Sequence, residues 1–369
     1  MPGTYCMRTI VTAAAAFLLT ASTLAAGGDS PIKAALVYDG AAFDDLGGGL
    51  RRGSTYLGTL RLQLTFARRG LTVFAEGLNI HGGQPDDFAG DAQGVSNLAA
   101  PHGSRIEEAW IQQALFDDQV SLLFGRYDLS TEFYRSQSGG LFLNSSLGTG
   151  PELSQNAPSI YPDTKEGARV EYRPVRSVLL RAARFHDLSI GEAAYLYRPA
   201  AGNEPRNPHL RLGRLAGLAP YQSKVAVGAW RFTNEGSDGA YVVADQTIAA
   251  DPGQGARRLA AFGQLGFDRA RGDRFARYTG IGLALSAPFR GRDNDEVGLA
   301  LASGYDHARY TAQAGPPAAK GETTIECTYL APVTSRVAIQ PDLQYVIHPD
   351  SRRTTKNALV ALLQFEISF

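Results

Sequence analysis

Apolar residues in this 369-residue chain recur at every second position, in pieces of about ten residues divided by turn chemistry. A period of two belongs to a strand with one face in an apolar medium and the other in a polar one. The last third shows it best. In Gly321–Leu330, Thr323, Ile325, Cys327 and Tyr329 share one face, and Glu322, Thr324, Glu326 and Thr328 share the other. In Ser335–Tyr345, Val337, Ile339, Leu343 and Tyr345 lie opposite Arg336, Ala338, Gln340, Asp342 and Gln344. In Asn357–Phe369, Leu359, Leu363, Phe365, Ile367 and Phe369 oppose Gln364, Glu366 and Ser368. A two-sheet sandwich gives the same alternation, so the architecture is decided elsewhere.

Counting decides it. The pattern predicts strands over 33–38, 55–66, 71–80, 105–116, 119–127, 166–173, 177–186, 191–197, 221–231, 239–248, 258–267, 274–285, 295–305, 321–330, 335–345 and 357–369. That is sixteen, an even number. Ala67–Gly70, Asp117-Asp118 and Pro174–Arg176 are tight connections, whereas 81–104 and 128–165 are long, polar and rich in Gly and Pro. Tight turns at one end and long loops at the other mark an outer-membrane barrel, here an all-β, 16-stranded antiparallel transmembrane β-barrel. Arg198–Pro220 is long yet falls on the tight-turn side, where a further hairpin or short helix is an option. Pro341 sits inside a strand, where its missing N–H predicts a bulge or an unpaired position over 339–343.

The N-terminus supplies the compartment. Arg8, an apolar stretch Ile10–Thr20 and small residues to Ala26 describe a secretory signal peptide, with cleavage expected after Ala25. The domains are thus residues 1–25, a signal, and 26–369, one barrel. Cys6 leaves with the signal and Cys327 is then alone, so neither a disulfide framework nor a Cys-based metal site is expected.

Composition fits once two faces are allowed for. Thirty-six basic residues face 36 acidic ones with no basic block, which argues against a nucleic-acid partner. Mean hydropathy is −0.16, the value of an ordinary soluble chain, but alternation hides an apolar face inside such an average. Tyr172, Tyr221, Tyr305, Tyr329 and Tyr345 fall near proposed strand ends, where an aromatic girdle belongs.

Catalytic chemistry is not legible. The six histidines are scattered, and no H-E-x-x-H, G-x-S-x-G or Gly-rich phosphate loop occurs. The informative residues are those projected into the lumen. Arg169, Glu171 and Arg173 share one face, as do Glu108, Trp110 and Gln112, and Gln340, Asp342 and Gln344. Glu76, Arg126 and Asp128 join them as pore-lining candidates. Carboxylates and amides accept hydroxyl hydrogen bonds, Arg donates them, and an aromatic face packs on a sugar's C–H surface. A lumen of both signs suits neutral polyhydroxylated solutes, although any water-filled lumen is polar.

Several segments together are specific. Gly48–Gly53 with Tyr56-Leu57-Gly58 and Leu62-Gln63-Leu64, Phe74–Gly83, Gln93–Asn97, Glu132-Phe133-Tyr134 with Gly140–Ser146, Gly150–Ser154, Pro158–Pro162, Ala244-Asp245-Gln246, Gln340–Tyr345 and Asn357–Val360 resemble the carbohydrate-selective porins of the OprB type. The resemblance spans nearly the whole mature chain. It implies an outer-membrane porin of a Gram-negative bacterium that admits glucose and related sugars by facilitated diffusion, with long loops folded inward to narrow the pore. It implies no cofactor, no metal and no reaction. The partners are small carbohydrates, outer-membrane lipid and lipopolysaccharide, and the barrel assembly machinery through the terminal Phe369; a homotrimer is an open option. Gln112 stands where relatives carry an acid, and His348 where they carry an amide, so the sugar preference is open. The rivals are an unselective or other-solute porin, an outer-membrane enzyme and a soluble exported binding protein.

Overall fold

The structure is a computed structural model that describes residues 31–198, 223–234, 236–250, 257–270, 274–314 and 318–369. Among them sixteen strands follow in order: β1 (Ile32–Gly49), β2 (Gly53–Arg68), β3 (Leu71–Gly82), β4 (Gly103–Leu115), β5 (Val120–Tyr127), β6 (Lys165–Val175), β7 (Val178–Phe185), β8 (Leu188–Arg198), β9 (Ser223–Phe232), β10 (Asp238–Ala250), β11 (Arg258–Asp268), β12 (Phe275–Ser286), β13 (Glu296–Asp306), β14 (Gly321–Pro332), β15 (Val337–Ile347) and β16 (Lys356–Ser368). Each pairs antiparallel with its neighbours in sequence, and β1 pairs with β16 from Val37↔Ser368 to Gly49↔Lys356, closing the barrel. The seam ends in a reciprocal pair, Phe369 N–H to the Leu36 carbonyl at 2.9 Å and Leu36 N–H to the Phe369 carbonyl at 3.3 Å. Closure leaves no sheet edge, so every strand has a partner on both sides, as a hydrocarbon environment requires.

All sixteen expected strands are present, and fifteen match their expected bounds to within a few residues. The first is the exception: the expected 33–38 runs on to Gly49. Asp and Gly, depleted in strands in general, concealed this extension. Its Gly residues are needed for contact with β16. Gly48 has φ +92°, and a Cβ there would lie 1.8 Å from the Asn357 carbonyl oxygen. Pro341 makes no bulge. The β15–β16 ladder runs unbroken through it, whereas the β14–β15 ladder stops at Thr328↔Asp342 and resumes in the same register at Ala331↔Ile339. The unpaired stretch, the second of the two expected outcomes, is the one observed. The expected export signal, Tyr221 and most of Arg198–Pro220 lie outside the described residues.

Leu62, Leu64, Ile111, Leu122, Phe124, Leu265, Ile281, Leu299, Leu343 and Leu363 are exposed on the outer surface. Exposed apolar area on this scale has no place in water and marks the lipid-facing belt. Outward Tyr172 and Tyr329 lie near the tight-turn end, and outward Tyr305 and Tyr345 near the long-loop end, giving two aromatic rims. No helix among the described residues is long and apolar enough to cross a membrane.

Both long loops, 83–102 and 128–164, leave from the same end. Residues 128–164 fold back into the barrel: Leu129, Phe133, Tyr134 and Leu153 are buried in one cluster with Trp110, Phe185, Trp230 and Tyr241 of the wall. Tyr134 stacks on Tyr241 with ring centroids 4.2 Å apart and planes within 6°. The core of this barrel is therefore loop against wall.

The two faces predict unequal tolerance. Leu363→Arg, on the outer face of β16, is expected to cost ~2–4 kcal/mol of membrane-folded stability if it lies at mid-bilayer depth. Gln364→Arg, one residue on and facing inward, should cost far less. Urea titrations of both variants refolded into vesicles measure the difference.

Candidate functional site

A loop carried into a barrel brings backbone N–H groups with it, and buried donors need acceptors. The wall supplies carboxylates at matching heights. Glu322 of β14 accepts the Ala92 and Gln93 amides at 2.9 and 3.0 Å, and Asp350 N–H at 2.7 Å. Glu326, two inward positions deeper, accepts Leu143 N–H at 2.5 Å and Asn144 N–H at 3.1 Å. Asp245 of β10 holds the Gln137 and Ser138 amides at 2.7 and 3.2 Å. Glu192 of β8 takes Tyr134 N–H and the Tyr241 hydroxyl, each at 3.0 Å. The loop returns one acid of its own: Glu132 receives Arg169 Nε and Nη2 at 3.0 and 2.9 Å, a bidentate pair buried on both sides.

Between the loops and β1–β4 remains a cavity of about 600 Å³. One wall is a row of inward side chains on adjacent strands: Asp39, Arg61, Gln63, Glu76 and Glu108, with Glu107 beside them. The register sets them abreast, with Gln63↔Glu76 and Glu76↔Glu108 as facing pairs. Arg61 Nη2 donates to Asp39 Oδ2 at 2.5 Å, and Gln63 Nε2 to Glu76 Oε2 at 2.5 Å. Glu108 Oε2 accepts Trp110 Nε1 at 3.1 Å and Asp128 N–H at 3.2 Å. The facing wall is loop: Gln93, Asn97, Ser130, Thr131, Arg135, Gln137 and Ser145. Burial and the neighbouring Glu108 push the Asp128 carboxyl up to about 6, against lowering hydrogen bonds from Ser130 and Tyr161.

The predicted candidates divide into three groups. Glu76, Glu108 and Asp128 line the cavity. Gln112, Arg169, Glu171, Gln340, Asp342 and Gln344 point inward but are covered. Arg169 ties Gln112 to Glu132, Gln340 Nε2 donates to the Leu141 carbonyl at 2.7 Å, and Gln344 Nε2 donates to Val95 O at 2.7 Å and to Asp342 Oδ1 at 2.9 Å. Glu171 bridges Arg173 and Arg181 at 2.8 and 3.0 Å, with Arg173 the more exposed of the two arginines. Trp110 is buried behind Phe74, which it stacks on at 5.2 Å and which itself lines the cavity. Arg126 must be corrected. It shares the outward face of Leu122 and Phe124 and pairs with exposed Glu166 at 2.8 Å, so it is not in the lumen.

Sequence reasoning missed Asp39, Arg61, Gln63 and Glu107. Asp39 lies in the part of β1 beyond the expected 33–38, where alternation continues from Val37. Arg61 and Gln63 alternate with Leu60, Leu62 and Leu64 and were legible by the same rule. Glu107 was not. Among the described residues no group of ligating side chains comes close enough to hold a metal ion.

The model of the family described as carbohydrate-selective porin, OprB family, matches residues 59–191 and 199–369. Porin B of Pseudomonas aeruginosa is 23% identical over 318 residues, covering 72% of this chain and 68% of that protein. The high-pH structure of OprB from Pseudomonas putida superposes with a TM-score of 0.77 at 18% identity, over 92% of this chain and 94% of its own. The low-pH structure of the same protein gives 0.62 at 17% identity over 92% and 93%.

Two predictions test the loop anchorage. Glu326→Ala strands two loop amides, at roughly 1–3 kcal/mol for each unsatisfied buried donor; single-channel conductance and the solute size limit should both rise. The second concerns Glu152, on the loop's short helix Pro151–Ser154, whose carboxyl burial pushes up to about 7 beside the Tyr134 hydroxyl. A carboxyl raised above its unfolded value of 4.5 favours the closed loop fully below that value, and the contribution is lost as pH rises through about 7. Hydrogen-exchange protection factors of residues 134–155, which remove the intrinsic base catalysis of exchange, should therefore fall above pH 7 in the parent chain and stay flat in Glu152→Gln.

Proposed function

The chain belongs to the OprB family of carbohydrate-selective porins, and from that premise we propose which of its residues form the sugar path. It is an outer-membrane β-barrel channel for small carbohydrates. The solute crosses the cavity between β1–β4 and loop 128–164, down its own gradient and without a reaction. Glu76, Glu108 and Asp128 accept its hydroxyl hydrogen bonds, Arg61 donates to them, and Phe74, backed by Trp110, packs on the C–H face of the ring. Exchange of the water shell for such contacts, each weak, admits the solute and releases it. Glucose and related hexoses fit this polar, aromatic-faced lining. The observation that carries the reading is the cavity itself, narrowed by the loops to about 600 Å³ and lined on both walls by hydrogen-bonding groups.

Around the barrel, the apolar belt meets lipid, lipopolysaccharide surrounds the long-loop rim, and the terminal Phe369 addresses the assembly machinery. The covered residues, Gln112, Arg169, Gln340 and Gln344 among them, act on selectivity through the loop they hold rather than by touching sugar.

Reconstituted protein tests this directly. Liposomes should swell faster in hexoses than in neutral amino acids of similar size; size-ranked rates would end the sugar reading. Glu108→Gln should weaken sugar-dependent blocking of the single-channel current by about tenfold, the worth of a charge-assisted hydrogen bond. Arg126→Ala, on the outer face, should leave blocking unchanged.

A further inference from the structure

The cavity wall contains one side chain that alternation does not permit. Across β3 and β4 the register runs Ala75↔Ala109, Glu76↔Glu108 and then Gly77↔Ile106, so β4 carries an extra residue at Glu107. Strict alternation would turn Glu107 outward with Ala109 and Ile111. The bulge turns it inward, beside Glu108, and it lines the cavity at 3% exposure. Bulges of this kind re-aim a side chain at a local cost in ladder pairing.

Glu107 is unlike the other wall acids. Asp39 is held by Arg61, Glu76 by Gln63, Glu108 by Trp110 and an amide, and Glu322, Glu326 and Asp245 by loop amides. Neither carboxylate oxygen of Glu107, both buried, has a hydrogen-bond partner among the described residues. Burial weighs most against its charge, Asp128, Glu76 and Glu108 add to that, and Arg105 opposes them. Arg105 gives its donors to the Pro162 and Pro101 carbonyls instead. Around the whole cavity, Asp39, Glu76, Glu107, Glu108, Asp128 and Glu296 stand against Arg61 and Arg135. The two signs that balance over the chain do not balance at Glu107, because further inward arginines are engaged elsewhere: Arg169 and Arg181 with Glu132, Glu171 and Glu192, Arg173 with Glu171, and Arg258 beside Glu296. A buried carboxylate without a donor is costly, and a passing solute is the partner it lacks.

We infer that Glu107 is a specificity-determining residue of the channel, set inward by the β4 bulge to take the ammonium group of a cationic carbohydrate. This rests on the sugar path proposed above and narrows it: amino sugars are favoured over neutral hexoses, and uronic acids are disfavoured. An ammonium brings three donors and a positive charge to a wall of net negative charge that holds the unpaired Glu107 carboxylate just beneath its surface. A carboxylated sugar brings only more acceptors.

The test uses the full mature chain in planar bilayers and liposomes, with glucosamine, glucose and glucuronate as probes. In a potassium chloride gradient the reversal potential should report potassium as the more permeant ion. Glucosamine should permeate faster than glucose, and glucuronate slower. Glu107→Gln should cut the glucosamine-to-glucose ratio roughly fivefold, the effect of one unit charge at ~4 Å in water, and Glu107→Asp should restore part of it. Equal rates for the three sugars, or chloride preference, with glucose still faster than size-matched neutral amino acids, would overturn the inference and leave the sugar path standing. Loss of that glucose advantage would remove both. A folded Glu107→Gln that keeps the parental ratio overturns the assignment to Glu107. Should that variant not fold, the parent chain's ion and sugar preferences decide the cationic selectivity alone.

Discussion

Most of this structure depends on acids of the barrel wall accepting backbone amides of the loops. Glu192, Asp245, Glu322 and Glu326 sit on β8, β10 and β14, and between them they take seven N–H groups of the two long loops. Without those acceptors a loop could not stay inside the barrel, since its buried amides would go unpaired. With them, the loop becomes a second inner wall. Its apolar residues then have somewhere to pack, and the cluster around Phe133, Tyr134, Trp230 and Tyr241 gives the barrel an interior core.

This arrangement explains why a polar lumen and a narrow path coexist. A sixteen-stranded barrel leaves a wide interior, and sugar selectivity needs a cavity near the size of the solute. Loop 128–164 fills one side, pinned from β6 to β15, and the open space is pushed against β1–β4. The residues there are held mainly by one another, Glu108 also by the Asp128 amide, so Arg61, Gln63, Glu76 and Glu108 present defined donors and acceptors to the path. Glu107 is the exception that carries the charge preference.

The fold was legible to a high degree because its signal is repetitive. Sixteen alternating pieces, tight turns and two long Gly- and Pro-rich loops leave few architectures, and the family resemblance agreed with them. Where the reading faltered, the cause was local. β1 hid behind Asp and Gly, which seldom build strands but here pair closely with β16. The expectation that Arg126 lines the lumen fails because its parity with Phe124 turns it outward, which the sequence itself records.

The site was legible only in part. Alternation determined that Gln112, Arg169, Gln340 and Gln344 face inward, together with Glu76 and Glu108. It is a property of each strand, set by a pleat of period two, so the sequence alone carries it. Whether an inward residue meets solute or loop depends on contacts between positions far apart in the chain, such as Gln340 with Leu141 or Glu322 with Gln93. Only the tertiary structure decided those. It also decided Glu107, because a bulge is a mismatch between two strands and neither strand records it alone.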